Sequence, residues 1–156
     1  MEEKLKPILD EYRSKYLEAL KTKLETAPKQ EEFAAAFETK VRDAIIPAMH
    51  YVGTIVKSGG HKTVVKEEKN ELGGRGPRIT LELTPSGLTA DETLRPPFIS
   101  YIANKQNNKV ITYIYKINLI NMSVKTAKNE RELDRITVSE IQNDIYEFVR
   151  DVLSFT

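Results

Sequence analysis

The sequence predicts an α+β protein with one antiparallel sheet, on the basis of three observations. Apolar residues recur at helical spacing up to residue 57, alternate in strand-like runs from residue 61, and return to helical spacing from residue 137. Because the strand-like runs are grouped and do not alternate with helices, they favour a meander over a parallel α/β sheet. The 156 residues are expected to form one domain, comprising a helical hairpin (1–57), a sheet (61–136) and a C-terminal helix (137–154).

The N-terminal segment predicts two amphipathic helices. The first carries an apolar stripe at a period near 3.6 residues, formed by Leu5, Ile8, Leu9, Tyr12, Tyr16, Leu17, Leu20 and Leu24. Pro7 is expected in the first turn, and Pro28 is expected to end the helix because a residue before proline disfavours the α conformation. The second helix should be kinked or broken near Pro47 and should end at Ser58-Gly59-Gly60. A short connection predicts that the two helices pack as an antiparallel pair.

Four strands follow from the alternating pattern, with a candidate fifth. They are predicted at His61–Glu67, Arg78–Thr84, Phe98–Ala103 and Val110–Ile120, the last bending as far as Val124, with the fifth at Glu132–Ile136. The last helix begins with a capping box, Thr137-Val138-Ser139-Glu140, and a hydrophobic staple joins Ile136 to Ile141.

The Phe98–Ile120 hairpin is nearly continuously apolar, which indicates that both of its faces are covered. A four-residue turn pairs Asn104 with Lys109, which puts Phe98 and Ile102 on one face and Val110 and Ile114 on the other. We expect a homodimer in which these four residues contribute to the interface. Two alternatives are that the helices cover both faces, or that a concave face is open to a small ligand.

Composition and charge restrict the class of protein. Charged residues make up 30% of the chain, and no apolar stretch approaches the length of a membrane span. Cysteine is absent, which excludes disulfides and thiolate chemistry, and the acidic N-terminus does not resemble a secretion signal, so we expect a cytoplasmic protein of bacterial style. Residues 58–128 contain 11 basic and 6 acidic side chains, a local charge of +5. This surplus supports only weak nucleic-acid binding, and nucleic acid is an unlikely partner.

No motif points to catalysis. His50 and His61 lack the spacing of a helical metal site, there is no serine-nucleophile elbow, and no cofactor or metal is expected. The run Gly73-Gly74-Arg75-Gly76 leads into Pro77 and a strand, so no helix N-terminus follows to bind a phosphate. The long connection Pro85–Pro97 is a candidate lid. The side chains that we select as candidate ligand-binding groups are His50, Tyr51, His61, Arg75 and Arg78.

The favoured function is therefore that of a small non-enzymatic protein acting through protein–protein contacts or as a regulatory subunit. The alternative is a small-molecule binding domain, or a small enzyme, with a pocket between sheet and helices for an apolar or anionic ligand. Weak nucleic-acid binding through residues 58–128 is the third possibility.

Overall fold

The fold is the predicted α+β arrangement of a helical N-terminal region, a five-stranded antiparallel meander and a C-terminal helix. The structure is a computed structural model that describes residues 1–69, 76–87, 95–118, 121 and 123–154. The helices are α1 (Glu2–Lys40), α2 (Ile46–Ser58) and α3 (Val138–Leu153), and a π-helical turn (Val41–Ile45) joins the first two. The strands are β1 (Lys62–Glu68), β2 (Arg78–Thr84), β3 (Phe98–Asn104), β4 (Lys109–Ile117) and β5 (Val124–Arg131).

The predicted helical hairpin is wrong, because the chain stays helical from Glu2 to Ser58 without a turn. Pro28 lies inside α1, where it removes one backbone donor. Strong helix formers such as Ala27, Lys29 and Gln30 flank it and favour continuation of the helix. Pro7 also lies inside the helix, since α1 already begins at Glu2. Among the described residues, no helix is both long and apolar enough to cross a membrane.

A π-helical turn accommodates Pro47 where a kink or break was expected. The Ile46 amide donates to the Val41 carbonyl, five residues back, so the extra residue is absorbed just before the proline and the helix continues. The predicted end of α2 is confirmed: the Gly60 amide donates to the Lys57 carbonyl, and Gly60 has a left-handed φ of 93° that favours glycine.

The strands pair in chain order, and the predicted register of the central hairpin is confirmed. Asn104 pairs with Lys109, which sets Phe98 opposite Tyr115 and Ile102 opposite Ile111. The fifth strand was placed wrongly, because residues 124–131 form β5 and Leu133–Arg135 form a 3₁₀ turn. Nearly every β5 side chain is exposed, so the segment lacks the apolar alternation that identifies a half-buried strand.

All helices that contact the sheet pack on one of its faces. The core joins Phe37, Ile45 and Met49 of the long helical segment and Ile141, Ile145 and Phe148 of α3 to the sheet residues Ile79, Leu81, Leu83, Ile99, Tyr101, Ala103 and Val110. The predicted cap of α3 is confirmed, since the Glu140 amide donates to the Thr137 hydroxyl at 3.2 Å. Ile136 and Ile141, the two members of the predicted staple, are both fully buried.

Candidate ligand-binding groove

The sheet face opposite the helices contains a cavity of about 700 Å³, a size typical of small-molecule sites. We call it the groove. Its described lining comes mainly from β3 and β4, with one residue each from β2, the segment before β3, the β3–β4 turn and β5. The principal side chains are Arg78, Arg95, Phe98, Ser100, Ile102, Gln106, Ile111, Tyr113 and Lys128.

Strand register determines which side chains meet on this face. Because alternate residues of a strand share a face, pairing across the five strands produces transverse rows. One row consists of Lys66, Thr80, Ser100, Tyr113 and Lys128. Within it, the Thr80 and Ser100 hydroxyls are buried and hydrogen-bonded to each other at 2.6 Å. This bond gives each of the two buried hydroxyl groups at the base of the groove a hydrogen-bond partner.

An aromatic cluster forms one side of the groove. The Phe98 ring lies 5.7 Å from the Tyr113 ring and 5.4 Å from the Tyr115 ring, measured between centroids. The Arg95 guanidinium lies 4.2 Å from the Phe98 centroid, within cation–π distance. These three neighbours help to bury Phe98, which is only 3% exposed although it lies on the face without helices. Arg95 itself stays exposed and keeps its charge at the solvent edge.

Three cationic side chains line the groove, and its described lining contains no acidic side chain. Arg78 is partly neutralised by Glu68, with an N–O distance of 2.8 Å. Lys128 and Arg95 make no ion pair with any described residue. The lining therefore carries a surplus of positive charge beside apolar and aromatic surface.

The carboxylates that share this sheet face are engaged elsewhere. Glu82 pairs with Lys66 at 2.8 Å, and Glu130 accepts bonds from the amides of Asn104 and Asn107 at 3.3–3.4 Å. Neither carboxylate forms an ion pair with Arg95 or Lys128. The groove thus keeps its positive character even though the sheet face as a whole carries both signs of charge.

The β3–β4 turn closes one end of the groove and is held by its own side chains. The Asn104 side-chain oxygen accepts the Gln106 amide at 3.1 Å, and the Asn107 oxygen accepts the Lys109 amide at 3.2 Å. Asn108 takes a left-handed φ of 56°, a conformation that asparagine tolerates better than most residues. This turn places the polar Gln106 side chain beside the groove.

Of the predicted ligand-binding residues that the structure describes, only Arg78 lines the groove. His50 and Tyr51 are exposed on α2, which packs on the opposite face of the sheet. His61 accepts the Ser86 amide at Nδ1 over 2.9 Å, so it connects the start of β1 to the segment after β2. Arg75 lies outside the described residues, as do residues 88–94 of the candidate lid.

The four predicted interface residues divide between the two faces of the sheet. Phe98 and Ile102 line the groove, whereas Val110 is fully buried beneath the helices and Ile114 packs against the core. Of the four, Ile102 alone lines the groove with a partly exposed side chain, because Phe98 is only 3% exposed.

Three important groove residues were missed by sequence reasoning as ligand-binding groups: Arg95, Tyr113 and Lys128. Tyr113 is visible as part of an aromatic hairpin, but its partners depend on register. Lys128 lies on the strand that the pattern did not reveal, and Arg95 precedes β3 in an aperiodic stretch. The described residues contain no group of three metal-binding side chains.

No family model matches the chain, and the comparisons with curated proteins and with solved structures find no significant match.

Proposed function

We propose that the protein is a non-enzymatic binding domain whose groove takes a small amphipathic anion, with an aromatic or aliphatic body and one acidic group. The observation that supports this most directly is the joint lining of the groove by Phe98, Ile102, Ile111 and Tyr113 with the cations Arg95 and Lys128. An apolar body gains free energy by leaving water for such a surface, and nearby cations favour one sign of ligand charge.

The acidic group would bind to Arg95 or Lys128, neither of which forms an ion pair with a described residue. Arginine suits a carboxylate or a phosphate because its planar fork forms two parallel hydrogen bonds. The apolar body would extend along Ile102 and Ile111, which face each other across β3 and β4. Tyr113 supplies an aromatic ring beside both parts of the ligand.

A small ligand fits the charge distribution better than nucleic acid does. Several cations of the basic middle segment are already paired, with Lys66 bound to Glu82, Arg78 to Glu68 and Lys116 to Asp151. Two cations of this segment that form no ion pair with a described residue, Arg95 and Lys128, line the groove. An extended phosphate backbone requires a wider basic surface.

The test is fluorescence titration with 1-anilinonaphthalene-8-sulfonate, an aromatic anion of suitable size. We expect it to bind the wild-type protein at least fivefold more tightly than it binds Lys128→Gln or Arg95→Gln. The matched control is Lys57→Gln, which removes one positive charge from the end of α2 on the opposite face of the sheet. A comparison with N-phenyl-1-naphthylamine, which lacks the sulfonate, measures the contribution of the ligand charge.

Equal affinity of the wild-type protein and both groove variants for the sulfonate would contradict the proposal. Equal affinity for the charged and uncharged probes would contradict the anionic part alone. Native mass spectrometry of the freshly purified protein adds an independent readout, because a bound small molecule would appear as additional mass that denaturation removes.

A further inference from the structure

The first turns of α1 project beyond the folded body with their apolar stripe uncovered. Residues 1–29 are all exposed, and Phe33 is the first buried residue of the chain. The stripe residues expose between 38% and 70% of their surface: Leu5, Ile8, Leu9, Tyr12, Tyr16, Leu17, Leu20 and Leu24. A contiguous apolar surface of this kind on a helix normally marks an interface.

The arrangement of the stripe is symmetric about its own centre. Leu5 and Leu24, Leu9 and Leu20, and Tyr12 and Leu17 each have their midpoint between Ser14 and Lys15. Two antiparallel copies related by a twofold axis at that midpoint therefore put an apolar residue level with an apolar residue in all three pairs. The same operation puts Ile8 level with Lys21 and Tyr16 level with Arg13. Both of these cations have apolar stems that cover a neighbour, and arginine also stacks on tyrosine.

The length of the uncovered helix fits this arrangement. In the antiparallel pair, Met1 of one copy reaches the level of Pro28 of the other, which is before Phe33. At 1.5 Å per residue the two helices overlap over about 40 Å, and each folded body lies beyond the opposite end of the overlap. The overlap therefore covers the stripe and ends five residues before Phe33.

The exposed area of the stripe favours the same partner. Eight large side chains at these exposures present an area on the order of 800 Å² per copy, which is what a standard-size interface buries on each side.

We propose that the occupant of this surface is a second copy of the chain, paired antiparallel through residues 1–28. The inference is independent of the groove, which lies on the sheet. It moves the expected dimer interface from the hairpin to α1, and it leaves the groove of each copy open.

The absence of cysteine allows a direct test of the register by engineered disulfides. Leu9→Cys and Leu20→Cys are prepared separately in the full chain and oxidised either alone or as a mixture. The antiparallel pair predicts a covalent dimer in the mixture at several times the yield of either variant alone. Efficient cross-linking of Leu9→Cys with itself would overturn the proposal, since only a parallel pair aligns identical residues along the whole helix.

Sedimentation velocity of unmodified protein tests the pairing itself. We expect twice the chain mass of 17.8 kDa for wild type, and at least 100-fold weaker self-association for Leu9→Glu/Leu20→Glu. Two control variants should remain dimeric. Ser14→Glu changes the helix face opposite the stripe, and Ile111→Lys changes the groove. Leu9, Ser14 and Leu20 all lie outside the core. Near-ultraviolet circular dichroism should therefore show that Leu9→Glu/Leu20→Glu and Ser14→Glu are both folded. A wild-type monomer, or dimerisation abolished by Ile111→Lys and retained by Leu9→Glu/Leu20→Glu, would overturn the inference.

Discussion

The hydroxyl of Tyr101, on the central strand, donates a hydrogen bond to the Asp144 carboxylate of α3 at 2.9 Å. The same carboxylate oxygen accepts from Arg131 of β5, and Arg131 also donates to the Thr112 hydroxyl of β4 at 2.8 Å. One partly buried polar network thus joins α3 to three strands. Burial, followed by the nearby negative charge of Asp144, raises the pKa of Tyr101 well above its ordinary value, so the phenol remains a donor.

Removing the Tyr101 hydroxyl should destabilise the protein without altering its fold. We expect Tyr101→Phe to lower the free energy of unfolding by about 1–3 kcal/mol, because it removes a hydrogen bond to a charged acceptor. Urea denaturation measures this loss. Tyr146→Phe, at an exposed position of α3, is the matched control and should change stability by less than about 0.5 kcal/mol. Equal stability of the two variants would show that the Tyr101–Asp144 hydrogen bond contributes nothing to stability.

A second contact between sheet and helix should respond to acid. Lys116 of β4 pairs with Asp151 of α3, and this hydrogen bond, partly opposed by burial, lowers the pKa of Asp151 below its ordinary value of 3.8. Because folding lowers that pKa, the contact stabilises the protein above the unfolded-state pKa, and the contribution is lost as the pH falls through the folded-state value.

Lys116→Met should therefore lose less stability than wild type between pH 5 and the acid transition, as measured by urea denaturation across this range. Asp151 is more than one third exposed, so the effect is expected to be small. Lys62→Met removes a positive charge from β1 and should keep the wild-type acid profile. Parallel profiles for wild type and Lys116→Met would contradict the assignment.

The cap of α3 supports a third prediction. Thr137→Ala should lower the free energy of unfolding by about 1 kcal/mol, because the Glu140 amide loses its acceptor. Thr137→Ser keeps the hydroxyl and should retain most of that stability. Thermal melts of the wild type and of the two variants test this prediction. An unchanged melting temperature for Thr137→Ala would refute the capping role.

The features that sequence predicted well are those set by local rules. The cap at Thr137 depends on four consecutive residues, and the hairpin register depends on one short turn between Asn104 and Lys109. The errors arose where longer-range context overrides a local preference. Pro28 normally disfavours a helix, yet strong helix formers on both sides carry α1 through it, and β5 pairs with β4 although its side chains face water.

The groove was predictable only in part, for a related reason. The sequence identified Arg78 as a candidate binding group and Phe98 as a candidate interface residue, and it allowed a concave face open to a ligand. It could not place Lys128 level with Tyr113, because that pairing depends on the unrecognised strand β5. A site built across strands becomes visible only when every strand and its register are known.

Gly76 supports a fourth prediction, based on close backbone contact at the start of β2. Its amide donates to the Ala103 carbonyl at 3.1 Å, and an added Cβ would lie 2.3 Å from that same oxygen. Gly76→Ala should therefore lower the free energy of unfolding by about 1–3 kcal/mol, since backbone must shift to relieve the overlap. Gly59→Ala is the control, because its nearest contact would be 3.4 Å away. Equal losses in the two variants would contradict this explanation.

The two prolines of α1 allow a final prediction about the uncovered helix. Pro28 has no amide hydrogen for the Leu24 carbonyl, so the helical segment before it is held to the folded body by a weakened turn. Pro28→Ala should restore that bond, raise the helical circular dichroism signal at 222 nm, and slow amide exchange between Lys21 and Ala27. The free energy of unfolding of the core should stay nearly constant, since residues 1–29 are exposed.

Pro7→Ala is the control for this prediction. It restores a bond near the helix start, where few residues precede it, and should produce a smaller change. Unaltered exchange in Pro28→Ala would show that this turn is already as stable as the rest of α1.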